Sequence, residues 1–217
     1  MSRDRVAVID YGMGNLRSVS QALAHAGVGY EVVVTADADV IRAAERVVFP
    51  GVGALRDCLA EVRRLGLEAV IRECLDSRPF LGICLGMQAL LDFSEENEGT
   101  PALGVVAGRV LHFSGRIPGA DEDGPLKIPH MGWNRVHQTR PHPLWEGIPQ
   151  DGRFYFVHSY FVEPEDPSVI AATTEYGLRF TSALARDNVF AVQFHPEKSQ
   201  HLGLRLLANF LRWDGTL

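Results

Sequence analysis

The runs Val6-Ala-Val-Ile9, Arg46-Val-Val-Phe49 and Phe80-Leu-Gly-Ile83 are almost wholly apolar, without the polar alternation of a half-solvated strand. Strands of this kind need cover on both faces, which a parallel sheet between helical layers provides. The chain supplies those helices in the intervals. Helical stretches are expected from about Leu16 to Ala26 and from about Leu55 to Leu75, the latter with apolar Leu59, Val62, Leu65, Val70 and Ile71. Tyr30 to Val34 reads as a further strand, and Phe80–Ile83 as the central one. Alternating β and α units of this sort define an α/β fold with a mostly parallel sheet.

Beyond about residue 104 the pattern changes. Val105–Phe113, Trp133–His137, Phe154–Val162, Val169–Thr174, Phe180–Ala185 and Val189–Phe194 read as strands with few helices between them. They are expected to be antiparallel additions to the same sheet or a small β layer. Ser114–Pro129, rich in Gly, Pro, Asp and Glu, reads as a flexible surface loop. Leu202–Trp213 is amphipathic and reads as a closing helix. No interdomain linker interrupts the sequence, so 1–217 is expected to form a single domain.

At 217 residues and 46% hydrophobic, the chain can bury one substantial core. A net charge of −6 without any basic run argues against nucleic acid as a ligand. No 18-residue apolar stretch is present, and the N-terminal residues run directly into a strand, so neither a membrane span nor a secretory signal is expected. Three cysteines without a Cys-x-x-Cys pair fit a reducing, cytoplasmic setting and argue against a disulfide framework or zinc site. No Walker loop occurs, and Gly12-Met-Gly14 lacks the third glycine of a dinucleotide fingerprint. No cofactor or metal is called for.

Gly82-Ile-Cys84-Leu-Gly86 follows an apolar strand and has the form of a nucleophile elbow carrying cysteine. Its flanking glycines let strand and helix pass closely, and the helix dipole at such a position favours an anion. The Leu85 N–H faces the same space as an oxyanion donor. Val52, in Pro50-Gly51-Val52-Gly53 at a neighbouring strand end, is placed to give the second. Phe194-His195-Pro196-Glu197 ends another apolar run. His195 is expected to act as general base and acid, with Glu197 fixing its tautomer. Cys58 and Cys74 have no such context and read as packing residues.

These residues resemble the class I (triad) glutamine amidotransferases, and the resemblance covers essentially the whole chain. Asp10-Tyr-Gly-Met-Gly-Asn15, Pro129-His-Met-Gly-Trp-Asn134, Tyr155-Phe-Val-His-Ser-Tyr160 and Gln193–Ser199 narrow it to the glutaminase subunits of imidazole glycerol phosphate synthase. The resemblance implies a three-layer, flavodoxin-like fold and hydrolysis of L-glutamine to glutamate and ammonia through a Cys84 thioester. It implies substrate contacts at Gly51, Gly53, Gln88 and, chiefly through backbone, at His158, Ser159 and Tyr160. It also implies a heterodimer with a (β/α)8-barrel cyclase subunit, which receives the ammonia. Asn15, Met131, Trp133, Asn134, Tyr155 and Lys198 would face that partner. Read from the residues alone, Asn15 is equally a helix N-cap, Trp133 a core residue and His158 a satisfied strand histidine. The acidic Ser114–Pro129 loop is longer than the family pattern. Glutaminase subunits of anthranilate or GMP type and a stand-alone γ-glutamyl hydrolase share the triad and are the rival readings. Met87 after Gly86 disfavours the anthranilate type.

Overall fold

The computed structural model describes residues 4–117 and 126–216. The chain runs β1 (Arg5–Ile9), α1 (Leu16–Ala26), β2 (Glu31–Thr35), α2 (Ala38–Ala43), β3 (Arg46–Gly51), α3 (Leu55–Arg64), α4 (Leu67–Leu75), β4 (Phe80–Cys84) and the single-turn α5 (Leu85–Gln88). It continues with β5 (Phe93–Ser94), β6 (Thr100–Pro101), β7 (Gly108–His112), β8 (His130–Gln138), β9 (Gly152–His158), β10 (Tyr160–Pro164), β11 (Ile170–Glu175), β12 (Arg179–Arg186), β13 (Val189–Val192) and α6 (Gln200–Arg212).

The strands join in the order β2-β1-β3-β4-β13-β12-β10-β7-β5-β6, and β2 through β13 are parallel. Alternate residues of each parallel strand serve two separate cores. Val6, Val8, Val48, Leu81 and Ile83 pack with Val19 and Leu23 of α1 and with Leu206, Leu207 and Phe210 of α6. Ala7, Ile9, Val47, Phe49 and Phe80 pack with Leu55, Leu59, Val62, Val70 and Ile71 of α3 and α4. Two buried faces explain why these strands carry no polar alternation. Among the described residues no helix is long and apolar enough to cross a membrane.

The structure departs from the sequence reading in five places. The stretch Leu55–Leu75 is two helices, because Gly66 takes φ 69°, a left-handed conformation that ends one helix and opens the next. Helix α2 lies between β2 and β3, its start fixed by Asp37, whose carboxylate accepts from the Asp39 and Val40 N–H groups. Phe154–Val162 is two strands, because Ser159 breaks the run. β9 pairs with β8, while β10 pairs with β7 and β12. Val189–Phe194 is not an antiparallel addition: β13 runs parallel to β4 and antiparallel to β12. Finally, the helix after Cys84 is one turn long rather than an extended dipole. Of the Ser114–Pro129 loop, residues 118–125 lie outside the described residues.

Candidate active site

Three strand ends converge on Cys84. The β3–β4 register sets Gly51 beside Cys84, and β13 on the other side sets Val192 beside Ile83. Chain leaving β3 therefore passes one flank of the sulfur as Val52-Gly53, and chain leaving β13 passes the other as Gln193-Phe194-His195. This is the carboxyl edge of the parallel strands, where α/β sheets hold ligands.

Cys84 has φ 54° and ψ −105°, a conformation that a side chain with a β-carbon adopts at a cost of roughly 1–3 kcal/mol. Its flanking glycines make the turn possible. A Cβ on Gly86 would stand 1.9 Å from the Phe49 carbonyl oxygen, and one on Gly82 would press on the Gly86 backbone at 3.0 Å. Gly51 is equally constrained, with the Tyr11 hydroxyl and the Leu85 Cβ within 2.7 Å of where its Cβ would be. Leu85 opens the single helical turn, so its N–H has no partner within that helix.

His195 is held from all sides. Its N–H donates to the Tyr155 carbonyl (2.9 Å), and its carbonyl accepts from the Ser199 hydroxyl (2.6 Å), which in turn accepts from the Tyr155 N–H. The following Pro196–Lys198 turn packs on α6 so closely that a Cβ on Gly203 would meet the Pro196 carbonyl oxygen at 1.8 Å. His195 Nδ1–H donates to Glu197 Oε1 at 2.8 Å, with the two side chains 2% and 1% exposed. Asn15 Nδ2 donates to the same oxygen at 3.3 Å. Burial is the largest single influence on His195 and opposes its charge. Charge and hydrogen bonding from Cys84 and then Glu197 outweigh it and raise the imidazolium to about 10. His195 Nε2 has no partner of good hydrogen-bond geometry, which leaves it free toward the sulfur and a reacting group.

A cavity of about 330 Å³ opens over the sulfur, lined by Val52, Gly53, Cys84, Leu85, Gln88, Glu96, His158, Ser159, Tyr160 and His195, among others. That volume suits a small ligand. Comparable space at the opposite sheet edge, by Arg72, Asp76, Arg186 and Asn188, holds no nucleophile.

The geometry decides several alternatives that the sequence left open. Asn15 does occupy the N-cap position of α1, but its side chain caps nothing and serves Glu197 instead. His158 is a satisfied histidine. Its Nδ1–H donates to the Tyr160 carbonyl (2.7 Å), and its Nε2 accepts from His130 Nδ1–H (2.9 Å). Burial holds His158 down to about 3 and His130 down to about 4, so both are neutral at pH 7. Trp133 is not core: it is 40% exposed, and its neighbour Met131 is 61% exposed. The β8–β9 register pairs Trp133 with Tyr155, whose ring also lies 5.8 Å from Lys198 Nζ. Of the residues expected at the interface, Asn134 points away from the side that carries Met131 and Trp133. Strand alternation turns it to the opposite face of β8, where its amide donates to His130 and to the Glu175 carbonyl.

The class-I glutamine amidotransferase family model matches residues 7–213. The chain belongs to this family. Its likeness to individual family members extends over nearly the full length. It is 62% identical over 210 residues to the imidazole glycerol phosphate synthase subunit HisH of Methylococcus capsulatus, covering 96% of each chain. It is 60% identical to that of Nitrosococcus oceani, covering 97% of this chain and 98% of the relative. With subunit HisH 1 of Pseudomonas aeruginosa the identity is 58%, covering 97% of each. PurLQS from Thermotoga maritima superposes with TM-score 0.69 at 18% identity, over 97% of this chain and 99% of that one. A glutamine amidotransferase from Thermotoga maritima gives 0.59 at 17%, over 94% and 81%. At such identities the structural likeness establishes the fold alone.

Two residues of this amidotransferase escaped the sequence reading. Glu96 lines the cavity while its Oε2 accepts from the Leu55 N–H at the start of α3. It sits in Glu95-Glu96-Asn97-Glu98, which reads as a solvated acidic stretch, so no local signal marks it. Gln193 is fully buried and donates from Nε2 to Cys84 Sγ at 3.6 Å. Here a signal existed, since a lone amide in the apolar run Val189–Phe194 must find a partner once buried.

Proposed function

We propose that this chain is the glutaminase subunit of an imidazole glycerol phosphate synthase. In this reading it hydrolyses L-glutamine to glutamate and ammonia and passes the ammonia to a cyclase partner. The observation that carries the reading is Cys84 in its strained turn, facing one cavity with the buried His195–Glu197 pair.

With its proton passed to His195, Cys84 Sγ attacks the γ-carboxamide carbon, and the C–S bond forms as the carbonyl electrons move onto oxygen. The Leu85 and Val52 N–H groups receive that oxyanion. His195 protonates the departing nitrogen as the C–N bond breaks, releasing ammonia and a γ-glutamyl thioester. It then takes a proton from water, which attacks the thioester. Collapse returns the electron pair to sulfur and frees glutamate. Glu197 keeps Nδ1 protonated and offsets the charge on the ring throughout. Gln88 borders the carboxamide end of the cavity, and the backbone of His158, Ser159 and Tyr160 borders the end for the amino and carboxylate groups. The Glu96 carboxylate is the natural counter-charge for the substrate ammonium.

In this reading the Pro50–Gly53 segment rests with the Val52 N–H turned away from the cavity. Turning that N–H toward the sulfur completes the oxyanion hole, and docking of the cyclase is the event that would turn it. The exposed Met131, Trp133 and Lys198 with the half-buried Tyr155, beside Asn15, form the docking face in this reading. The partner is read as a (β/α)8 barrel in a heterodimer.

The test is glutamate release from glutamine by the wild type and Cys84→Ala, with and without a cyclase subunit and its nucleotide ligand. Activity that needs Cys84 and rises with the cyclase supports both halves of the proposal. Cys84-dependent activity indifferent to the cyclase overturns the pathway and keeps the chemistry. No Cys84-dependent glutamate in any arm overturns the chemistry.

A further inference from the structure

The Tyr160 backbone carbonyl can only accept hydrogen bonds. Two groups converge on it: His158 Nδ1 at 2.7 Å and the Gln88 side chain at 3.2 Å. The Gln88 end facing it must therefore be the amide nitrogen, which carries two hydrogens. The second of these lies on Gln193 Oε1 at 3.1 Å. With its oxygen so occupied, Gln193 has its own NH₂ facing Cys84 Sγ at 3.6 Å. Reversing either amide would set oxygen against oxygen or NH₂ against NH₂. A backbone atom two links away thus fixes which end of Gln193 meets the sulfur. The far side of the chain is fixed as well. His158 Nε2 accepts from His130 Nδ1–H, and His130 Nε2 accepts from Asn134 Nδ2 at 3.3 Å.

We infer that Gln193 is a permanent donor to the anionic sulfur of Cys84, oriented for that role by Gln88 and the Tyr160 carbonyl. The inference rests on the glutaminase reading for its purpose. Negative charge sits on sulfur as it attacks and again when the thioester collapses, and a donor suits it at both moments. His195 cycles its proton through the substrate and the attacking water, whereas Gln193 keeps its own. Gln193 has no exposed surface, and Gln88 is nearly as well covered, so water is poorly placed to replace the lost donor. Hydrogen bonds to ionised groups are also the stronger class.

The experiment is alkylation of Cys84 by iodoacetamide between about pH 5 and about pH 9, followed peptide by peptide so that Cys58 and Cys74 are read separately. Gln193→Met keeps the volume and removes the donor. The expected result is an alkylation rate at neutral pH about tenfold below wild type, converging on wild type at the alkaline end, where thiolate forms regardless. A folded Gln193→Met chain with the wild-type profile overturns the inference. If that variant does not fold, the wild-type chain still decides. The Gln193 side-chain amide resonances should move when Cys84 is alkylated, and resonances that stay in place overturn the inference. No glutamine is present in either arm. Failure here therefore leaves the glutaminase reading standing, and absence of glutamate release leaves this result interpretable.

Discussion

Asn15 Nδ2 lies 3.3 Å from Glu197 Oε1, the oxygen that also accepts the hydrogen bond from His195 Nδ1–H, although the two residues are 182 positions apart. The start of α1 is thereby tied to the carboxylate that holds His195. Asn15→Ala should lower glutamate turnover about tenfold, the equivalent of about 1.4 kcal/mol, with little change in KM for glutamine. Steady-state kinetics with a matched thermal melt checks this. A raised KM with unchanged kcat would place Asn15 in substrate binding instead.

The charge on His195 makes stability depend on alkaline pH. Its imidazolium is held up to about 10 in the folded chain, against about 6.5 for an unperturbed histidine. The folded state therefore holds a proton that the unfolded state releases between those values. The stabilisation is complete below about 6.5 and is lost as pH rises through about 10. Urea midpoints should fall across that window, and Glu197→Gln should make the fall shallower.

Acid acts through different histidines. His130 and His142 are held down to about 4 and His158 to about 3, in each case foremost by burial. They remain neutral when folded, while their unfolded counterparts protonate near 6.5. Stability should therefore decline as pH drops from about 6.5 toward about 4. Replacing His142, which lies in the core away from the cavity, with Gln should reduce that slope by about a third. An unchanged slope would remove His142 from the account.

Gly86→Ala tests the elbow itself. Its Cβ would lie 1.9 Å from the Phe49 carbonyl oxygen, so β3 and α5 have to separate. The expected cost is about 3 kcal/mol of stability, with loss of Cys84-dependent activity. Gly29→Ala is the control. There φ is 110° but no atom lies within 4 Å of an added Cβ, so the change should carry only backbone strain and leave activity intact.

Legibility in the sequence follows the locality of the cause. The meeting of Cys84, His195 and Glu197 at one cavity was readable because the glycines around the first, and the short His-Pro-Glu spacing of the others, are local features. The parallel strands were readable because double burial is written into each run of residues. The parallel direction of β13 was not, since it is fixed by the gap it fills between β4 and β12, which no nearby residue records. Ser159 was lost inside a run that looks uniformly strand-like but changes pairing partners in the middle. The parting of Asn134 from Trp133 was not readable, because a motif gives neighbours in sequence, whereas a strand sends neighbours to opposite faces. Glu96 reached the cavity through a loop whose composition says only that it is hydrophilic.

The insertion of β13 also sets an order of events. During synthesis Cys84 emerges long before the strand that carries Gln193 and His195 toward it. Until β13 pairs, β4 and β12 each present an open edge, and the sulfur lacks both His195 and Gln193 beside it. A chain interrupted before that point should therefore be both sticky and without its assembled site. Reactivity arrives with the closing of the sheet, so that only a nearly finished molecule is armed.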